Sequence, residues 1–278
     1  MTSMTDSIRI GNQTAISARP PLAPFRYALR QRFEAFEWFD DARDGRGFRF
    51  VDCDAGRRRR IRRIGRDRGL YYTVHASLRA NVLDAADPAL AEAVAFATAI
   101  DAHLIVTHFP RDAEADTTAA ALHDWSERTA EHNICVTLEN TVDTGPERIN
   151  GVFSLLPAGS CAREFAGLCF DMGHANLHRE WRNDYIGYFD QIRDHVPVRH
   201  VHLHENHGDR DAHLPLFTGP SAHDPTGPRL LLQRLHRRRY HGALIMEQWP
   251  EPPAALRHAY TRLRSMVDTT SAPAPLQQ

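Results

Sequence analysis

Six residues that can bind a metal ion each close a short apolar run, and they recur at a nearly constant interval along the chain. They are His75, His108, Glu139, Asp171, His202 and Glu247. Their successive separations are 33, 31, 32, 31 and 45 residues. One strand–helix unit takes about 30 residues, so residues at this interval return to the same level on neighbouring parallel strands. The pattern predicts a parallel sheet that gathers these side chains at its carboxyl edge.

Strand-like and helix-like stretches alternate along most of the chain. Runs rich in β-branched or aromatic residues predict strands at 9–11, 35–38, 70–74, 104–107, 134–138, 168–170, 198–203 and 243–246. Helical patterns lie between them, such as 24–32 and 87–100, where Pro88 suits a first helical turn. Strand, helix and strand in succession indicate parallel pairing through crossover helices.

Eight strand–helix units in 278 residues are typical of a single-domain (β/α)8 TIM barrel, which we assign to residues 1–267. An open doubly wound sheet is the alternative, but no GxGxxG motif follows the first strand. Residues 268–278 are mostly Thr, Ser, Pro, Ala and Gln, and they are predicted to form a disordered tail.

Composition excludes several classes of function. All 34 basic residues are arginines, which rules out Schiff-base lysines and the lysine of a phosphate-binding P-loop. A formal net charge of −1 argues against a main role in gripping nucleic acid or an anionic membrane. No apolar run approaches a membrane span, the first 19 residues lack a signal-peptide core, and the four cysteines form no CxxC pair. We therefore expect a cytoplasmic protein with reduced thiols.

Eight arginines lie between residues 57 and 68, with Ile61 and Ile64 among them. One interpretation is a patch that binds nucleic acid or phosphate. The other, which we favour, is the solvated face of the second barrel helix, anchored to the core by the two isoleucines.

Carboxylates and imidazoles gathered at one edge would repel one another or lose their hydration unless a positive charge lay among them. A divalent metal supplies that charge, and mixed N and O ligands suit Zn²⁺, Mn²⁺ or Fe²⁺. A lone residue of this kind is usually structural, but six in phase favour a metal site. Asp211 and His213 form an Asp-x-His pair that, with His174, makes a third coordination group. We leave His204 and His207 out of the predicted ligand set.

The motifs at the later strand ends resemble those of one known superfamily. They are Leu-Glu-Asn at 138–140, Phe-Asp-Met-Gly-His at 170–174, His-Val-His-Leu at 200–203, Asp-Ala-His at 211–213 and Met-Glu at 246–247. The chain resembles the xylose-isomerase-like TIM barrels, which include sugar (phosphate) isomerases and epimerases and the endonuclease-four type of AP endonucleases (AP endonuclease family 2). The architectural resemblance covers residues 8–266, and the strong motifs lie within 75–247.

This resemblance implies one to three divalent metal ions per chain. In the isomerases and epimerases a single ion is held at positions that correspond to Glu139, Asp171, His202 and Glu247. In the endonuclease branch this set is the second of three sites. There the first site corresponds to His75, His108 and Glu139, which bridges to the second, and the third site to His174, Asp211 and His213. Suitable residue types fill all nine positions.

Two chemistries remain open. A metal-dependent isomerase or epimerase of a sugar or sugar phosphate would use Glu139 and Glu247 as the catalytic bases beside one ion. Ketose epimerases also carry an arginine after the seventh strand, and here its place falls near Ala212, with Arg210 close by. A hydrolase would use several clustered ions on a phosphoester, and the complete nine-residue set favours it.

The predicted partner is a small molecule, which is phosphorylated in the hydrolase interpretation. The sequence shows neither a basic groove nor stacking aromatics suited to a nucleic-acid substrate, and it does not determine an oligomeric state. Candidate substrate-binding residues are Arg79, Asn140, Arg182 and Arg210.

Overall fold

Eight parallel strands close into a barrel in the computed structural model, which describes residues 8–43 and 46–271. The barrel strands are β1 (Arg9–Gln13), β2 (Ala35–Phe39), β5 (Tyr71–His75), β6 (Leu104–His108), β7 (Cys135–Glu139), β8 (Ala166–Asp171), β9 (Val198–Leu203) and β10 (Ala243–Met246). The short strands β3 (Asp41–Arg43) and β4 (Arg46–Phe48) pair antiparallel outside the barrel. β10 pairs with β1 and completes the ring, which confirms the predicted (β/α)8 barrel.

Helices follow the strands on the outside of the barrel. They are α1 (Ala23–Gln31), α2 (Ala55–Arg68), α3 (Pro88–Ile100), α4 (Ala115–Ala130), α5 (Pro146–Ser154), α6 (Ala162–Phe165), α7 (Met172–Leu177), α8 (Tyr185–Asp190), α9 (Thr226–Arg237) and α10 (Ala254–Ser271), with 3-10 turns at Phe50–Asp52, Arg179–Trp181 and Pro220–Ala222. Helix α10 includes residues 268–271, which the sequence assigned to the tail, because its pattern of buried apolar residues continues to Val267. Residues 272–278 lie outside the described residues. Within the described ranges, no helix combines the length and apolar character that a membrane crossing needs.

The arginine-rich segment forms α2 as predicted. Ile61 is buried and Ile64 packs against the core, and most of the arginines are exposed, whereas Arg58 packs over Phe96 and pairs with Glu92 of α3. Arg62 and Arg66 both reach Asp101 just past the end of α3, at 2.8 and 2.7 Å between nitrogen and carboxylate oxygen. These contacts fit a solvated helix face that docks on the neighbouring helix.

Strand β2 shows how alternation divides the core. Phe36 and Trp38 point outward and pack on Phe25 of α1, with ring centroids 5.0 and 4.8 Å apart. Glu37 lies between them in sequence, so it points into the barrel, where it is fully buried. The barrel interior therefore holds charge, whereas the layer between strands and helices is apolar.

Strand register brings the predicted ligands to one level. His108 on β6 lies opposite Glu139 on β7, and Asp171 on β8 lies opposite His202 on β9. These residues occupy the carboxyl ends of their strands, the face on which TIM barrels build their active sites.

Candidate metal centre

All nine predicted ligands fall into three clusters, in each of which the donor atoms lie within 4.8 Å of one another. The first cluster is His75, His108 and Glu139; the second is Glu139, Asp171, His202 and Glu247; the third, which we call the outer group, is His174, His204, Asp211 and His213. Glu139 belongs to the first two clusters. The donors thus form one continuous array across the carboxyl face of the barrel.

Glu139 lies at the centre of this array and is buried. Its Oε2 is 3.0 Å from His75 Nε2, 3.5 Å from His108 Nε2 and 3.4 Å from His202 Nδ1. Its Oε1 is 3.2 Å from His174 Nδ1. One carboxylate therefore touches imidazoles from all three clusters.

Two histidines are oriented for metal binding by backbone carbonyl oxygens. His75 Nδ1 lies 2.8 Å from its neighbour's carbonyl oxygen, Ala76 O, and His174 Nδ1 lies 2.9 Å from Asn140 O. A carbonyl only accepts hydrogen bonds, so Nδ1 carries the proton in both rings. The Nε2 atoms face carboxylates, Glu139 in one case and Asp211 in the other, and each would bind a metal after losing its proton.

The second cluster contains buried polar atoms without hydrogen-bond partners. They include Asp171 Oδ2 and both ring nitrogens of His202. His202 Nδ1 is 3.2 Å from Glu247 Oε1, but the contact is not aligned for a hydrogen bond. Buried polar atoms are normally paired, and a cation among these donors would satisfy them. The residues present therefore fit a divalent metal.

The electrostatics of the carboxylates agree with this fit. Burial would raise the pKa of Glu139, but the adjacent His202 and His108 outweigh it and hold the pKa well below its usual range. Burial raises the pKa of Glu247 to about 8. His202 lowers this pKa, and the negative charges of Glu139 and Asp171 raise it further. The imidazoles alone do not neutralise all three carboxylates, so a further positive charge has a place here.

The outer group extends the array onto the loop after β9. Asp211 Oδ2 lies 3.5 Å from His174 Nε2 and 3.1 Å from His213 Nε2. Burial raises the pKa of Asp211, but the hydrogen bonds from His174 and His213 outweigh it and hold the pKa well below its usual range. The predicted third coordination group is thus assembled, and His204, which we had left out, lies within it.

A second residue that the sequence analysis missed is Glu37. Its Oε2 accepts hydrogen bonds from His200 Nε2 at 2.8 Å and Thr73 Oγ1 at 2.9 Å, and its Oε1 is 3.0 Å from His202 Nε2. The signal was a glutamate inside the aromatic run Ala-Phe-Glu-Trp-Phe, where only an inward, paired carboxylate is tolerated. Glu37 thus contacts the Nε2 edge of His202, whereas the Nδ1 edge faces Glu139 and Glu247.

A cavity of about 490 Å³ opens over the array. Donor residues such as His75, His108 and Glu247 line its floor, and Ile16, Phe39, Leu78 and Trp249 are among its apolar lining. The predicted substrate-binding residues are absent from this lining: Arg79, Arg182 and Arg210 are exposed elsewhere on the surface. A role for these arginines stays a prediction.

Asn140, which the sequence predicts to bind substrate, uses both atoms of its side-chain amide to bond the backbone of Asp171. Its Nδ2 donates to Asp171 O and its Oδ1 accepts from Asp171 N, at 2.9 and 2.8 Å. The side chain is fully buried and clamps the end of β7 to the end of β8. Asn140 therefore positions Asp171.

Comparisons with known proteins agree with the barrel. A sequence model of the family described as xylose isomerase-like TIM barrel matches residues 25–266. None of the curated protein sequences matches significantly.

Among solved structures, TTHB071 protein from Thermus thermophilus, soaked with ZnCl2, is 20% identical over 91% of this chain and 97% of its own, with a TM-score of 0.62. A D-psicose 3-epimerase in the presence of D-fructose is 12% identical over 94% and 99%, with a TM-score of 0.66. The structure of AsfvAP:AG is 14% identical over 94% and 99%, with a TM-score of 0.67. At this level of identity these likenesses show a shared fold.

Proposed function

This chain belongs to the xylose isomerase-like TIM barrel family, and we propose that it is a divalent-metal-dependent hydrolase that cleaves a phosphoester in a small molecule. The observation that carries the proposal is the sharing of Glu139 between two donor clusters, with the outer group beside them. One ion needs four of these donors, whereas the array supplies enough for two or three ions. Such donor sets are what multinuclear hydrolysis requires.

Divalent ions in such a site lower the pKa of water and stabilise charge on phosphoryl oxygens. The protein controls the protonation state and the orientation of the donor side chains. Burial lowers the pKa of His108 to about 4, so its imidazole is neutral near pH 7 and its lone pair is available. The carbonyl oxygens that accept the Nδ1 protons of His75 and His174 orient both rings, so Nε2 is the atom that would bind metal.

The cavity favours a small substrate. A volume of about 490 Å³ is in the range of small-molecule sites. The apolar wall formed by Phe39, Leu78 and Trp249 would exclude water and contact a nonpolar part of the substrate. Because no arginine lines the described cavity, the phosphoryl charge would be met by the bound ions.

Metal-dependent isomerisation or epimerisation of a sugar or sugar phosphate is the second candidate. The complete Glu139, Asp171, His202 and Glu247 cluster favours it, since this set alone serves a one-ion reaction, and Glu247, with a pKa of about 8, suits a proton-transfer role. Against the ketose epimerases, Arg210 is exposed and does not line the cavity, whereas Asp211 does.

Removal of two outer ligands separates the two functions. In the double variant Asp211→Asn with His213→Ala, the hydrolase would lose one metal equivalent and all turnover of a phosphoester, whereas a one-ion isomerase would keep its ion. The matched control is Asp209→Asn with His207→Ala, since both residues are exposed on the same loop and belong to none of the donor clusters.

The assays are metal content by elemental analysis and product analysis against a panel of phosphoesters and ketoses. Two or three equivalents in the wild-type protein, with loss of hydrolysis in the double variant only, support the proposal. A single equivalent, or hydrolysis that survives the double change, refutes it. Conversion of a ketose by the single-ion form would establish the second candidate.

A further inference from the structure

We infer that His204 is a fourth protein ligand of the outer group, which makes that group a closed, structural zinc site. The inference rests on the proposed multinuclear site. The inference concerns only which of the ions would keep an open coordination position for water or substrate.

His204 follows β9 directly and is fully buried. It is two residues beyond His202, so alternation along the extended chain places both side chains on the same side of the backbone. His202 serves the second cluster, and His204 lies one step nearer the loop that carries Asp211 and His213.

Neither ring nitrogen of His204 has a hydrogen-bond partner among the described residues. Nε2 lies 3.1 Å from Asp171 Oδ1 but is not aligned for a hydrogen bond, and Nδ1 lies 3.7 Å from Asp211 Oδ1, which is too far for one. A buried imidazole with two unsatisfied nitrogens costs stability unless a ligand completes its contacts. An ion among His174, Asp211 and His213 would do so, since all four donor atoms lie within 4.8 Å of one another.

The backbone leaves room for this ring. A Cβ at Gly173 would lie 2.0 Å from His204 Cε1, so any larger residue at this position would displace the imidazole. On its other side the ring stacks on His213, with centroids 3.9 Å apart and planes 8° apart. His204 is thus held between α7 and the loop, with its nitrogens turned toward the two aspartates.

The number of donors distinguishes structural from catalytic zinc. Structural sites use four protein ligands, whereas catalytic sites use three and keep a position for water or substrate. Three imidazoles and one carboxylate would close the outer site. The ion there would tie Asp211 and His213, both partly exposed, to the buried barrel end, and open positions would remain beside Glu139.

The competing role for His204 is to orient Asp171 through Nε2. Two variants separate the roles: His204→Ala removes both functions, and His204→Gln keeps a hydrogen-bond donor for Asp171 but is a poor metal ligand. His207→Ala is the matched control, because His207 is exposed on the same segment.

The readouts are zinc affinity, measured by competition with a chromophoric chelator, and the visible spectrum of the Co²⁺-substituted protein. Four-coordinate Co²⁺ absorbs more strongly than Co²⁺ of higher coordination, so the spectrum reports the outer site without any turnover. We expect both variants to bind one zinc ion with an affinity lower by about tenfold or more, and the Co²⁺-substituted variants to absorb visible light less strongly. The affinity for the remaining ions and the circular dichroism spectrum should be unchanged.

If zinc affinity falls only in the alanine variant, His204 positions Asp171 and the inference is wrong. If both variants bind two or three ions as tightly as the wild type, His204 is not a ligand, although the proposed function stands. If the wild-type protein itself binds one ion and the variants leave it unchanged, both proposals fail.

Discussion

Replacement of Glu37 by Gln tests how far the barrel interior controls the metal centre. Glu37 is fully buried beneath His202 and touches none of the cavity. Burial would raise the pKa of Glu37, but His202 and His200 outweigh it and hold the pKa well below its usual range, so the residue is an anion at neutral pH. The amide in Glu37→Gln keeps the shape and removes the charge.

The size of the effect follows from the contacts. His202 Nε2 is 3.0 Å from Glu37 Oε1, which leaves Nδ1 toward Glu247 and Glu139. Carboxylates that bind the second nitrogen of a ligand histidine fix its orientation and raise its basicity, and their loss lowers metal affinity by about 10–100-fold. This equals about 1.4–2.7 kcal/mol of binding free energy at 25 °C.

The measurement is a competition titration of the apoprotein with Zn²⁺ or Mn²⁺ in the presence of a chelator, for the wild type, Glu37→Gln and Glu37→Asp. Thr137→Val is the control, since its hydroxyl also lies in the barrel interior but donates to the Ile105 carbonyl oxygen. We expect the affinity to fall in Glu37→Gln and to recover partly in Glu37→Asp, which keeps the charge. Unchanged affinity in a folded Glu37→Gln variant would refute the reasoning.

Two further predictions concern the carboxylates and protons of the array. Glu139→Gln is expected to lose more than one metal equivalent by elemental analysis, because a neutral amide is a poorer ligand and this residue serves two clusters; loss of one equivalent or none contradicts the shared site. Metal uptake at pH 7 is expected to release protons. Burial lowers the pKa of His213, but Asp211 and Glu247 outweigh it and raise the pKa to about 9, while the pKa of Glu247 is about 8. At pH 7 His213 and Glu247 are therefore both protonated in the metal-free protein, and each must lose its proton to bind metal. Affinity should therefore rise with pH up to about 9, and titration calorimetry at pH 7 should give heats that depend on the ionisation enthalpy of the buffer; equal heats in two buffers contradict this.

The positions of the strand ends could be predicted from the sequence because one strand–helix unit has a nearly constant length. That periodicity placed His108 opposite Glu139 and Asp171 opposite His202 without knowledge of the helices between them. The place of Asp211 and His213 in the outer group could be predicted from their short spacing and from the family resemblance.

Other features depend on contacts that no local pattern records. Glu37 meets His200 across 163 residues, and only closure of the barrel makes its strand face a shared interior. The sequence did not place His204, because its position depends on the space left by Gly173 and on how the loop folds back. The positions of Arg79, Arg182 and Arg210 relative to the cavity could not be predicted, because the direction of an exposed side chain is not encoded in spacing.

The central place of Glu139 has a thermodynamic consequence for metal loading. Because the Glu139 carboxylate belongs to two clusters, the first ion to bind would fix the orientation of this carboxylate and neutralise part of its charge. The second ion would therefore bind with a different free energy. Linkage makes this effect reciprocal: each ion changes the affinity of the other by the same factor. At a limiting metal supply, the population of half-loaded protein would then be set by this coupling energy and by the free-ion concentration together.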